Sequence, residues 1–220
     1  MENIIGIYKP KGPTSHDIVD HIRKITGVKK VGHAGTLDPL AQGVLVIGIG
    51  REATKKLNAV VQKEKEYIAK IFLGEKSTTD DSEGEKTKYD VKKIPTLQEI
   101  EDIVRKYIGK IEQVPPQFSA IKVKGKVAYA SARIGKKIVL APRAVEIKNI
   151  KIIEYSFPYL IIHATTGPGV YIRALARDIG DELSCGAYLN SLERTRVGEF
   201  TKKNSYSLET FTKIQNLKNY

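Results

Sequence analysis

The stretch Gly32-His33-Ala34-Gly35-Thr36-Leu37-Asp38-Pro39-Leu40-Ala41-Gln42-Gly43-Val44-Leu45-Val46-Ile47-Gly48 constrains this chain more than any other. It sets one carboxylate, Asp38, in an otherwise uncharged, glycine-punctuated loop that runs straight into an apolar segment. Pro39 holds its own φ at about −65° and biases Asp38 toward extended backbone. Gly32, Gly35 and Gly43 permit turns or close backbone approach. A loop built this way presents a single side chain, although an aspartate before proline is also an ordinary turn opener. Val44 to Ile49 reads as a buried strand that supports the loop.

The flanking periodicities give the architecture. Residues 3 to 8 read as a short buried strand. Ser15 to Ile25 reads as a helix with Ile18, Val19, Ile22 and Ile25 on one face, Ser15 or Thr14 as its cap and Gly27 as its stop. A helical pattern runs through Ala53, Leu57, Val60 and Val61, and Glu66 to Leu73 alternates as a strand. Asp38 is thereby expected between a helix and a core strand. Lys76 to Pro95 is polar and reads as a surface excursion, followed by a helix from Thr96 to Ile108 capped by Thr96. Strands are expected at 143 to 155 and 158 to 166, and a helix from about 171 to 184. Strands that follow one another directly, mixed irregularly with helices, define an α+β chain with a central mixed or antiparallel sheet. At 220 residues it is long enough to fold as one catalytic domain spanning residues 1–220.

Lys and Arg total 37 against 25 Asp and Glu, a formal charge of +12, which favours a polyanionic partner, nucleic acid above all. Residues 118–142 concentrate this charge, with Lys122, Lys124, Lys126, Arg133, Lys136 and Lys137 around Tyr129. Such a segment is either an exposed basic face or a loop that grips RNA. The single cysteine, Cys185, excludes an intramolecular disulfide and a cysteine-rich zinc site, and fits a reducing compartment. The histidines His16, His21, His33 and His163 lack metal-site spacing. No metal, cofactor or membrane span is expected, and the protein is expected in the cytoplasm.

Gly32 to Leu45 resembles the signature loop of the TruB family of tRNA pseudouridine synthases, and further matches follow in that family's order. These are Lys9-Pro10-Lys11-Gly12-Pro13-Thr14-Ser15, Lys65-Glu66-Tyr67, Val114-Pro115-Pro116-Gln117-Phe118-Ser119-Ala120-Ile121-Lys122 and Gly169-Val170-Tyr171-Ile172-Arg173-Ala174-Leu175, with Cys185-Gly186-Ala187 and Leu192 completing the set. Ordered matches along most of the chain are far more specific than one short motif. The resemblance implies a pseudouridine synthase fold, a central mixed sheet with flanking helices crossed by a basic cleft. It implies isomerisation of uridine 55 in the tRNA T loop by a flipped-base mechanism without a cofactor.

By the same resemblance, Asp38 is the catalytic aspartate, Arg173 the arginine that pairs with it, and Tyr67 the tyrosine that stacks on the target base. Leu192 lines the uracil pocket, and His33 fills the space left by flipped bases. Lys9 and Pro10 support the active-site loop. Asp81 matches an acidic residue of a substrate-contacting loop, an alignment that its neighbour Asp80 leaves open, and Lys122, Lys124 and Lys126 belong to the RNA-gripping segment. The implied partner is the T-arm stem-loop of tRNA, bound by a monomer with no obligatory protein partner. Bacterial relatives commonly continue past Ser207-Leu208-Glu209 into a PUA-type domain; none is evident before Tyr220. Two other readings are a related synthase acting on another RNA and a non-catalytic tRNA folding helper.

Overall fold

The computed structural model describes residues 3–118 and 140–218, together with the backbone of 122–123 and 126–127. The chain divides into two compact units, one formed by Met1–Ile68 with Leu192–Tyr220 and the other by Ala69–Ser191. It is α+β, as the alternation of patterns predicts.

In the first unit, β1 (Ile4–Lys9) leads into α1 (Ser15–Thr26), followed by β2 (Val31–Ala34), β3 (Ala41–Ile49) and α2 (Arg51–Val61). Thr14, not Ser15, caps α1. Its hydroxyl accepts from the Asp17 N–H, the Asp17 carboxylate accepts from the Thr14 N–H, and Gly27 closes the helix in the left-handed conformation with φ 68°. β3 pairs antiparallel with β1 and β2. The apolar run of β3 packs through Val44 and Val46 onto Leu57 and Val60 of α2, with Ala34 and Val197 in the same cluster. Asp38 therefore follows a strand, β2, rather than the helix expected before it. Val-Gly-His-Ala is too short, and too poor in β-branched residues, to show strand periodicity.

In the second unit, two elements fall within the polar excursion, β5 (Glu75–Ser77) and β6 (Lys86–Lys88), which form a small antiparallel pair. Then come α3 (Leu97–Lys106), β7 (Gly109–Gln113), the short backbone pair β8 (Lys122–Val123) and β9 (Lys126–Val127), β10 (Arg143–Ser156), β11 (Tyr159–Thr166) and α4 (Ile172–Glu182). β10 pairs antiparallel with both β7 and β11. Ile100, Ile147, Leu160 and Ile162 are fully buried. The excursion is exposed over most of its length, but Asp81 inside it is buried and bridges to Leu189.

β4 (Lys65–Leu73) and β12 (Ala187–Val197) contribute residues to both units. The Leu192–Arg194 part of β12 pairs parallel with β3. The first unit ends with β13 (Phe200–Thr201), β14 (Tyr206–Ser207), which pairs parallel with β1, and α5 (Leu208–Lys218). Parallel and antiparallel ladders thus coexist, and the sheet is mixed. Among the described residues no helix is long and apolar enough to cross a membrane.

Candidate active site

Asp38 sits in the connection between β2 and β3, half-buried, on a backbone bonded along nearly its whole length. Because Thr14 takes the capping role, the Ser15 hydroxyl is available to the loop. It donates to the Leu37 carbonyl and accepts from the Leu37 N–H, both at 2.9 Å. The Asp38 carbonyl accepts from the Ala41 N–H at 3.0 Å, and the Pro39 carbonyl from the Gly12 N–H at 2.8 Å. Lys9, fully buried, donates through Nζ to the carbonyls of Ala41 at 2.6 Å and Pro10 at 3.0 Å. Pro10 itself is exposed. Arg194 completes the frame, with Nη2 to the Gly35 carbonyl at 2.9 Å, Nη1 to Thr36 at 3.4 Å and Nε to Val44 at 2.8 Å.

The same unit holds His33, Tyr67 and Leu192. Tyr67 and Leu192 are buried, and Leu192 stands in register with Ala41 at the start of β3. The His33 ring meets the edge of His16 at 5.5 Å, and its buried Nδ1 has no hydrogen-bond partner among the described residues. Burial pushes the His33 pKa down to about 4, with the positive neighbours His16 and Arg194 adding to the effect. Lys65 donates to the carbonyls of Val61 and Lys63 at 2.8 and 2.7 Å. Its pKa falls to about 8, chiefly through burial and then through Arg194.

The second unit holds Arg173 and Asp81 together. Their side chains, 7% and 4% exposed, lie 3.4 Å apart. Asp81 also accepts from the Thr79 hydroxyl and the Glu83 N–H. Arg173 donates to the carbonyls of Thr79 at 3.3 Å and Phe118 at 2.8 Å. One turn further along α4, Arg177 pairs with Asp80 at 2.9 Å and donates to the Val114 carbonyl at 2.8 Å. Gln113 adds a two-way bond to the Tyr171 backbone. Each of the two neighbouring aspartates thus faces its own arginine, Asp81 with Arg173 and Asp80 with Arg177. The side chains of Lys122 and Lys126, and all of Lys124, lie outside the described residues.

Sequence reasoning does not single out Ser15 as a loop ligand, nor Lys65, Arg177 or Arg194 for any role. The usable signal for Arg194 is Gly43. A Cβ built there falls 2.2 Å from the Arg194 carbonyl oxygen, and φ is +117°. Only glycine lets β12 approach β3 at this point.

The model of the TruB family pseudouridylate synthase N-terminal domain matches residues 23–172, and that of the tRNA pseudouridylate synthase B C-terminal domain matches residues 173–220. The chain belongs to the TruB family of pseudouridylate synthases. This TruB-family chain is 42% identical over 217 residues to tRNA pseudouridine synthase B of Protochlamydia amoebophila (strain UWE25), spanning 99% of this chain and 82% of that protein. Against tRNA pseudouridine synthase B of Clostridium novyi (strain NT) it is 43% identical over 220 residues, spanning 100% of this chain and 75% of the relative. The crystal structure of a Cbf5-Nop10-Gar1 complex contains a chain that matches with a TM-score of 0.76 at 28% identity, covering 96% of this chain and 54% of the other. This chain therefore spans about half of that solved one. The family and the structural match bear out the expected pseudouridine synthase fold.

Proposed function

We propose that this TruB-family protein converts uridine to pseudouridine at position 55 in the T loop of tRNA, with Asp38 as its catalytic carboxylate. The observation that supports this most is the immobilised loop. Ser15, Lys9, Arg194 and Gly12 bond backbone groups on both sides of one half-buried aspartate, and a reacting group held still is the main requirement for attack within a bound complex. The tRNA synthase names of the two bacterial relatives supply the substrate class.

In this reading the N1–C1′ bond of uridine breaks, the base turns, and C5 joins C1′. Atoms and oxidation state are conserved, so no external group is consumed. Asp38 acts as nucleophile or base on the flipped nucleotide. Tyr67 stacks on the base, Leu192 supplies an apolar wall for the detached uracil, and His33 stands in the space the bases leave. The low pKa of His33 keeps its ring neutral, the form suited to stacking. Lys9 holds the loop, with Pro10 beside it. Arg173, oriented by Asp81, keeps the aspartate ionised, and the basic segment carrying Lys122, Lys124 and Lys126 draws in RNA phosphates. The two units act as a single catalytic domain, as a monomer in the cytoplasm.

The test is incubation of unmodified tRNA, and of an isolated T-arm hairpin, with the protein and with Asp38→Asn, followed by pseudouridine mapping. Pseudouridine confined to position 55, formed by the parent and absent with Asp38→Asn although that variant still binds tRNA, is the expected result. Product at another site, or near-parental conversion by Asp38→Asn, refutes the reading.

A further inference from the structure

Arg194 is 2% exposed, and its guanidinium is surrounded by main chain. Among the described residues its hydrogen-bond partners are the carbonyls of Gly35, Thr36 and Val44, with no carboxylate in the set. Burying an arginine without an ion-pair partner is costly in free energy. Here three carbonyl dipoles offset the cost, and the planar fork spans two chain segments at once. Gly35 and Thr36 lie on the approach to Asp38, and Val44 lies on the exit, so a single side chain ties together both limbs of the loop.

The strand geometry is adapted to this contact. Gly43 and Arg194 face each other across the parallel β3–β12 ladder. A Cβ on Gly43 would meet the Arg194 carbonyl oxygen at 2.2 Å, its N at 2.6 Å and its carbonyl carbon at 2.8 Å. Removing the side chain at position 43 brings the β12 backbone close enough for the arginine to reach under the loop.

We propose that Arg194 is a positioning residue for the isomerisation, acting on Asp38 through the backbone of residues 35–44. The proposal rests on the reading of Asp38 as the catalytic carboxylate. Lysine at 194 keeps the charge but cannot bridge three carbonyls on two segments. The bound RNA is unaffected while the reacting carboxylate loses its fixed position.

The experiment compares the parent, Arg194→Lys and Asp38→Asn for tRNA affinity, thermal unfolding and single-turnover pseudouridine formation at saturating protein, well below the unfolding midpoint. Arg194→Lys is expected to bind tRNA within about twofold of the parent and to react about 100-fold more slowly, the scale of loss that follows from displacing a reacting group by about 1 Å. A purely structural role would lower the midpoint and leave the folded molecules fully active, so parental single-turnover rates in folded Arg194→Lys overturn the proposal. Near-parental turnover by Asp38→Asn overturns it together with the catalytic reading. Loss in Asp38→Asn alone overturns only this proposal. If Arg194→Lys does not unfold cooperatively, Arg194→Gln takes its place under the same criteria, and collapse of both assigns Arg194 to stability and rejects the positioning role.

Discussion

In the first unit Lys65 and Arg194 are buried against backbone carbonyls, whereas in the second unit Arg173 and Arg177 meet the carboxylates of Asp81 and Asp80. The two arrangements do different physical work. A cation ringed by carbonyls fixes the path of the main chain and has no counter-charge to neutralise it. A cation facing a carboxylate shares its charge with that partner, and it ties one side chain to another. Arg194, together with Lys9, bonds the loop that carries Asp38, and Lys65 ties the end of α2 at Val61 to Lys63. Carboxylate-held arginines project from α4 and secure the segments around Thr79, Val114 and Phe118. Burial lifts the Asp80 pKa even against Arg177 and Arg173, so ionisation of this pair is partly opposed by its surroundings.

Gly43→Ala should have the largest effect, on the side where cations bond the main chain. The added methyl collides with Arg194 main chain at a positive φ, and a loss of about 4 kcal/mol is expected in urea unfolding, near the top of the range for single substitutions. A loss below about 1 kcal/mol would show that β12 can retreat without cost.

Arg177→Gln comes next, at about 3 kcal/mol, because it strands Asp80 and Asp178 beside each other. The distinguishing step is the double variant with Asp80→Asn, which should recover much of that loss. An absence of coupling in the cycle would place Arg177 with the carbonyl-held cations.

Ser15→Ala tests the other side, since it leaves the Leu37 N–H and carbonyl without their buried partner. A loss of about 2 kcal/mol is expected, whereas Thr14 continues to cap α1. An unchanged unfolding midpoint would show that the loop holds without Ser15.

The last effect is read by pH. The His33 pKa in the folded protein, about 4, lies below the ordinary histidine value of about 6.5. Between these values the unfolded chain binds the extra proton, so stability is fully present above pH 6.5 and is lost as pH falls toward 4. His33→Leu should flatten this part of the stability profile. An identical slope in that variant would assign the acid sensitivity to other groups.

The features most legible in the sequence are local ones. The Thr14 cap, the Gly27 stop, the apolar face of α1 and the alternation of β4 all express themselves within a few residues. β12 is illegible for the opposite reason. Asn190, Ser191, Glu193, Arg194 and Arg196 break its apolar pattern, and a buried arginine reads as a surface charge until its carbonyl partners, more than a hundred residues away in sequence, are in place. The loop motif points to Asp38, but the hydrogen bonds that fix it come from Lys9, Gly12, Ser15 and Arg194, which only the fold assembles.

The loop between β2 and β3 has little conformational freedom left to surrender when RNA arrives. Its ordering entropy is lost once, during folding, and is not charged again at each encounter. At this loop the cost of order is already met before RNA binds. If the proposed function holds, differences in turnover among RNA hairpins are expected to track how readily each one presents its uridine to this preformed segment.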